Sequence, residues 1–175
     1  MYDVVVIGAG AAGMMAALTA GRLGARTCLL ERNEKPGKKI YITGKGRCNI
    51  TNACETEELF SHVVTNPKFL YSSFYAMTNW DVIDFFETSG VKTKVERGDR
   101  VFPVSDKSSD VIRALWHECR ENGVDMRFHS RVSELIREES KIRGVRLADG
   151  AVVEAAAVIA ACGGRSYAST GSDGA

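Results

Sequence analysis

The chain opens Met1-Tyr2-Asp3-Val4-Val5-Val6-Ile7-Gly8-Ala9-Gly10-Ala11-Ala12-Gly13, runs through an alanine-rich stretch to Gly24, and continues Arg26-Thr27-Cys28-Leu29-Leu30-Glu31-Arg32. A short β-branched run enters three glycines, an apolar helix leaves them, and a second apolar run ends on an acid. This order is a strand–helix–strand unit built to hold a dinucleotide. Gly8 lets the chain turn out of the strand. Gly10 has no Cβ, so the backbone can approach a pyrophosphate. Gly13 lets the helix pack closely on the strand. The first helical turn, with Ala11 and Ala12, then presents free N–H groups to the anion. The helix dipole adds about 0.3–1 kcal/mol at an exposed site. Glu31 lies 23 residues after Gly8 (31 − 8), which suits a carboxylate accepting hydrogen bonds from a ribose diol.

Working outward, 3–7 and 26–31 read as parallel strands and 11–23 as the helix between them, with Gly24 as its left-handed stop. Residues 33–54 break the simple pattern. A nicotinamide-binding unit would run straight into another helix. This stretch is instead a long basic loop rich in glycine and small polar residues, and such loops inside compact domains are usually functional. Lys38, Lys39, Lys45 and Arg47 suit phosphate. Gly44 and Gly46 free backbone N–H groups to face a ligand. Asn49, Thr51 and Asn52 offer donors and acceptors.

Residues 56–89 read as short helices, with Trp80, Ile83, Phe85 and Phe86 as core positions ahead of a Gly90 stop. Residues 91–95 and 100–102 form a small hairpin whose turn, Arg97-Gly98-Asp99, is only a turn. A helix follows over 107–122, with Val111, Ile112, Leu115, Trp116 and Cys119 on its apolar side and His117 in solvent. A third parallel strand is expected at 125–129. Strands at 131–137, 141–147 and 151–154 make an antiparallel meander, and 157–162 is the fourth parallel strand.

Bulk properties narrow the field. At 175 residues, with 45% hydrophobic and 26% charged residues, this is an ordinary globular composition. A formal net charge of +1 gives no reason to expect nucleic acid or an anionic membrane as partner. No apolar run approaches a membrane span, and a strand starting at Tyr2 leaves no room for a signal peptide, so a cytoplasmic location is expected. The five cysteines are odd in number and form no CxxC, and the three histidines make no ligand spacing with them. Free thiols and no metal are therefore expected. Cys48 is read as a packing residue.

The run Gly44-Lys45-Gly46-Arg47-Cys48-Asn49-Ile50-Thr51-Asn52 resembles the G-x-G-R-C-N-x-T-N signature of a bacterial family of NAD(P)/FAD-dependent oxidoreductases. These are aminoacetone-oxidase-like flavoproteins that include a 3-dehydro-bile-acid reductase. Arg100-Val101-Phe102-Pro103-Val104-Ser105 is similar to the family's R-V-F-P-x-S stretch. Gly163-Gly164-Arg165-Ser166-Tyr167 with Thr170-Gly171-Ser172 is similar to its G-G-x-S-Y-P-x-T-G-S motif. The chain departs in two places: Ala161-Cys162-Gly163 stands where related flavoproteins carry A-T-G, and Ala168 stands where proline is usual.

The resemblance implies a glutathione-reductase-like FAD-binding Rossmann domain (α/β, with a parallel sheet and an antiparallel β-meander) over residues 1–175. It implies that this is the N-terminal part of a protein about twice as long, with the substrate domain elsewhere and FAD held poorly by this part alone. The cofactor-binding residues it points to are Gly8, Gly10, Ala11, Ala12, Gly13, Glu31, Arg32, Lys39, Thr43, Gly44, Gly46, Arg47 and Asn49. To these it adds Val132, through its backbone to adenine, and Gly163 and Gly164. The expected chemistry is hydride transfer through the flavin, with NAD(P)H as donor and a small organic molecule as substrate. No catalytic residue is assigned. Two other readings stay open here: a plain NAD-dependent dehydrogenase and a non-catalytic nucleotide-binding or FAD-sensing module.

Overall fold

The computed structural model describes residues 1–170, so Gly171 and Ser172 of the last motif lie outside the described residues. The chain divides into two compact units, 1–40 with 115–175, and 41–114.

The first unit is built on the opening strand. β1 (Tyr2–Ile7) leads through the glycine turn into α1 (Ala11–Arg22) and then β2 (Thr27–Leu30). α1 ends as its glycine predicts, with Gly24 at φ 82°. β1 and β2 pair in parallel, Val4 beside Thr27 through Ile7 beside Leu30, and α1 packs on both. Val5, Val6, Met14, Leu18 and Leu29 are buried in that sandwich. The β-branched run forms a strand because both its faces are covered.

The remaining strands of this unit come from the C-terminal third. β6 (Asp125–Arg127) pairs in parallel with β2. β7 (Val132–Glu138), β8 (Lys141–Leu147) and β9 (Val152–Ala160) form the meander. The six-stranded sheet has the order β6-β2-β1-β9-β8-β7. The expected parallel sheet and meander are both present.

The expected break between two strands at 151–154 and 157–162 is not. β9 is one continuous strand. Its first three residues pair antiparallel with β8, and from Ala155 onward it pairs in parallel with β1. The change of partner, rather than a turn, separates the two halves. The third parallel strand is also shorter than expected, ending at Arg127.

The second unit holds the small sheet. β3 (Thr51–Asn52), β4 (Thr93–Glu96) and β5 (Arg100–Pro103) are antiparallel in the order β3-β5-β4. The supposed loop 33–54 is thus only partly a loop: α2 (Lys38–Ile42), a 3-10 turn (Thr43–Gly46) and β3 occupy much of it. α2 is too short to show a periodicity in sequence.

α3 (Thr56–Ser61), α4 (Tyr71–Ala76) and α5 (Asn79–Thr88) follow as expected short helices. α5 starts on a capping box: Thr78 accepts from the Asp81 N–H, and Asp81 accepts from the Thr78 N–H. Phe85 and Phe86 are buried, but Trp80 is 49% exposed and is not core. It sits in the first turn of α5, away from the face carrying the two phenylalanines. α6 (Ser108–Glu121) crosses from the second unit into the first, and His117 is exposed as expected. No helix among the described residues is long and apolar enough to cross a membrane.

Candidate cofactor-binding site

In the first unit, the three glycines of the turn have three distinct environments. Gly8 sits at φ 102°, and a Cβ there would lie 2.7 Å from the carbonyl oxygen of Ala161. A Cβ on Gly13 would lie 1.7 Å from the carbonyl oxygen of Gly8. Both positions exclude any side chain by contact with backbone. Gly10 is the opposite case, because nothing lies within 4 Å of where its Cβ would be. Two glycines close the turn and the third leaves its outer surface clear.

That clear surface is the N-terminus of α1. Gly10 caps the helix without a side-chain hydrogen bond, and no acid stands in the first turn. Ala11 and Ala12 are exposed. Among the described residues no backbone carbonyl takes the N–H of Ala11, Ala12 or Gly13. Helix-terminal amides with the positive end of the dipole behind them bind anions, phosphates above all.

Glu31 stands at the tip of β2 and is 8% exposed. Its Oε2 accepts the Ala9 N–H at 2.8 Å. Its Oε1 accepts the Asn33 backbone N–H at 2.8 Å and the Asn33 side-chain amide at 2.6 Å. A carboxylate offers about four acceptor positions. Among the described residues three are filled, and the remaining one belongs to Oε2, on the side of the glycine turn. A ribose hydroxyl can take it.

Backbone hydrogen bonds place further segments around this core. Gly37 donates to the Ala9 carbonyl at 2.8 Å, so the chain after Glu31 folds back onto the turn. Lys39 reaches Ser166 Oγ at 3.3 Å, and Lys38 pairs with Glu34 at 2.9 Å. Arg32 is half-buried beside Glu31. Ala161 donates to the Ile7 carbonyl at 2.9 Å, bringing the end of β9 and the exposed Gly163 and Gly164 to the same end of the sheet. Val132 begins β7 opposite Leu147 and packs on the core of Val5, Cys28 and Leu30. Just before it, Ser130 donates to the Glu31 carbonyl at 2.8 Å. The first unit therefore gathers Gly8, Gly10, Ala11, Ala12, Gly13, Glu31, Arg32, Lys39, Val132, Gly163 and Gly164. Sequence reasoning missed Ala9, Asn33 and Gly37. Asn33 had one signal, a short amide two residues beyond the strand-tip acid.

In the second unit, the signature loop has its own geometry. Gly44 (φ 55°), Lys45 (φ 57°) and Gly46 (φ 87°) are consecutive left-handed residues, and Cys48 is left-handed at φ 60°. A Cβ on Gly44 would lie 3.0 Å from the Asn49 nitrogen and 3.2 Å from the Phe102 ring. Cys48 N–H donates to the Thr43 carbonyl at 3.1 Å. Cys48 is buried, and burial pushes its thiol pKa up, which suits packing better than redox chemistry.

Arg47 is bound within this unit. Its guanidinium pairs with Glu96 and, at 2.7 Å, with Asp106, and it lies 4.3 Å over the Phe102 ring. Lys94 joins the same two carboxylates at 3.3 and 2.8 Å. The hydrogen bonds from Arg47 and Lys94 hold both carboxyls below their usual range. The Asn49 amide, oriented to satisfy its surroundings, donates to the Thr51 and Val101 carbonyls. Ile50 N–H donates to the Val101 carbonyl at 2.8 Å. The G-x-G-R-C-N-x-T-N and R-V-F-P motifs are thus knitted to each other. Asn79, 4% exposed, bonds to the Asn52 and Cys54 carbonyls and to Thr56 Oγ1, extending the clasp to α5.

Three likenesses to known proteins accord with this geometry. The chain is 36% identical over 176 residues to the 3-dehydro-bile acid delta(4,6)-reductase of Clostridium scindens, covering 99% of this chain and 42% of that protein. It is 34% identical over 139 residues to the ribosomal RNA dihydrouridine synthase of Escherichia coli, covering 79% of this chain and 34% of that protein. The chain thus spans between a third and a little over two-fifths of the length of these curated relatives. Among solved structures, the 3-ketosteroid-delta4-(5alpha)-dehydrogenase of Rhodococcus jostii RHA1 superposes with a TM-score of 0.70 at 17% identity, over 93% of this chain and 46% of that one, a likeness of fold. The model of the HI0933-like protein Rossmann domain matches residues 2–175, so the chain belongs to that family of FAD-binding flavoprotein oxidoreductases.

Proposed function

We propose that this chain holds the FAD of a flavin-dependent reductase that saturates a carbon–carbon double bond conjugated to a carbonyl, with NAD(P)H as electron donor. The observation that carries the cofactor half is the open N-terminus of α1 beside a carboxylate with one acceptor position left. The residues fit the group: a Cβ on Gly10 would occupy open space, and among the described residues the N–H groups of Ala11, Ala12 and Gly13 have no backbone partner.

Gly10, Ala11, Ala12 and Gly13 would hold the pyrophosphate through backbone N–H groups, with Lys39 offsetting its charge. Glu31 Oε2 would accept from the ribose, and the Val132 backbone would border the adenine. Gly163 and Gly164 would border the cofactor from the end of β9. Thr43, Gly44, Gly46, Arg47 and Asn49 would serve by fixing the shape of the signature loop. When bound, FAD supplies two-electron hydride exchange. The chain's own part is to bind and orient it.

The substrate half rests on the relatives. One is a delta(4,6)-reductase of a 3-dehydro bile acid, and the other makes dihydrouridine. Both names describe hydrogen added across a double bond that a carbonyl polarises, so the carbon remote from the carbonyl accepts hydride. The near-neutral charge of this chain favours a small organic substrate over RNA.

The test is spectroscopic. Purified protein containing this chain is loaded with FAD and reduced anaerobically with NADH or NADPH, then offered a cyclic enone, its saturated ketone, or uridine-containing RNA. Bleaching by a nicotinamide, with recovery of flavin absorbance on the enone alone, is expected. A protein that takes NAD in preference to FAD would overturn the cofactor reading. Reduced flavin that no conjugated carbonyl reoxidises would overturn the substrate reading, and recovery on RNA alone would reassign it to nucleic acid.

A further inference from the structure

Glu31 does not hold its own carboxylate in place. We propose that Asn33 is the positioning residue for the adenosine half of the site, fixing Glu31 so that its one remaining acceptor position faces the ribose. This rests on the FAD reading above.

Two donors of Asn33 converge on one oxygen, and its side-chain amide also reaches the Thr170 carbonyl at 3.5 Å. Its backbone N–H and its side-chain amide lie 2.8 and 2.6 Å from Glu31 Oε1. Ala9 N–H holds the other oxygen at 2.8 Å. Three charge-assisted bonds from two directions fix the plane of the carboxylate, and two of them come from Asn33. With Oε1 doubly occupied, the acceptor position left open among the described residues falls on Oε2, beside the glycine turn.

Asn33 also ties this acid to the segment that leads to Val132. Its carbonyl accepts the His129 N–H at 3.0 Å, while Glu31 donates to the Arg127 carbonyl and accepts from Ser130, both at 2.8 Å. Residues 31–33 are therefore stitched to 127–130, two residues before β7. A leucine at position 33 keeps the size and the backbone bonds but loses the amide. An aspartate keeps the shape and sets a second carboxylate against the first.

The experiment measures affinity for FAD and for an FAD analogue whose adenosine carries a 2′-deoxyribose, by flavin fluorescence. Loss of one hydrogen bond to a charged group corresponds to about tenfold in affinity, and this is the preference for FAD expected of the unaltered chain. In N33L the preference should fall to about threefold or less, because Glu31 is no longer fixed. In an E31Q background, N33L should change the preference no further. N33D, isosteric if N33L fails to fold, should lose the preference near pH 8 and regain it near pH 5, where a shared proton restores a donor. N33L or N33D with the full preference at pH 8 would overturn the proposal. So would an N33L effect that persists undiminished in E31Q. If the unaltered chain binds both compounds equally, it is the placement of the ribose at Glu31 that fails, before Asn33 is altered.

Discussion

Two of the molecule's glycine-rich turns solve opposite problems. In the turn of the first unit, Gly8 and Gly13 are squeezed against backbone so that Gly10 and the amides after it stay uncovered. In the turn of the second unit, Gly44 is squeezed against Asn49 and Phe102, and the cation that follows, Arg47, is taken up by Glu96, Asp106 and an aromatic face. The first turn carries almost no charge and leaves its donors available. The second carries more charge, and that of Arg47 is used internally. A basic residue in a glycine loop is thus a weaker sign of a ligand contact than an uncharged helix start with nothing in front of it.

The largest effect should come from the closed part of the first turn. Gly13→Ala places a methyl 1.7 Å from the Gly8 carbonyl oxygen. Backbone cannot yield as a side-chain end can, so a loss of at least about 3 kcal/mol is expected in urea unfolding, or no folded first unit at all. A mild result would mean the turn is looser than described.

Gly10→Ala should behave differently although it adds the same methyl. Its Cβ meets nothing, so stability should change by no more than about 1 kcal/mol, the scale of a cap substitution. FAD affinity should nevertheless drop by about tenfold or more, because the methyl stands where the pyrophosphate approaches. Equal destabilisation by the two alanines would erase the distinction between the closing glycines and the open one.

A smaller effect, full near neutrality and fading in acid, is expected of Arg47→Met. Glu96 and Asp106 titrate below their ordinary range in the folded chain, chiefly because Arg47 and Lys94 donate hydrogen bonds to them. A depressed carboxyl stabilises the fold above its unfolded pKa, and that stability is lost as pH falls through the folded value. Without Arg47 the depression shrinks, so the variant should be less stable than the parent near neutrality, and the gap in urea unfolding should close as pH falls below the folded carboxyl range. If Arg47→Met instead left stability near neutrality unmoved and weakened FAD more than Gly10→Ala, the second turn would be a ligand site after all.

The parts legible in the sequence were those whose cause is local. The β-branched run, the glycine spacing and the alanine-rich helix each need only their neighbours, and β1, α1 and β2 lie where expected. The meander was legible from its alternation and turns. β9 was not, because its two halves differ in partner rather than in conformation, and nothing local records a change of partner. Trp80 was misplaced because an aromatic in the first turn of a short helix can face outward while the helix keeps its core side. Arg47 finds carboxylates 49 and 59 residues away, beyond any spacing rule. Asn33 was overlooked because its importance lies in orienting a neighbour.

The partner change in β9 has a consequence for how the site comes into being. Its first residues close against β8 within a few residues of chain, a contact that forms early. Its remaining residues close against β1, and just beyond them Ala161 packs on Gly8, about 150 positions away in sequence. The glycine turn is synthesised about 150 residues ahead of the wall behind it. During synthesis the turn must wait for those residues to follow, and the cradle should be complete only when β9 has been delivered.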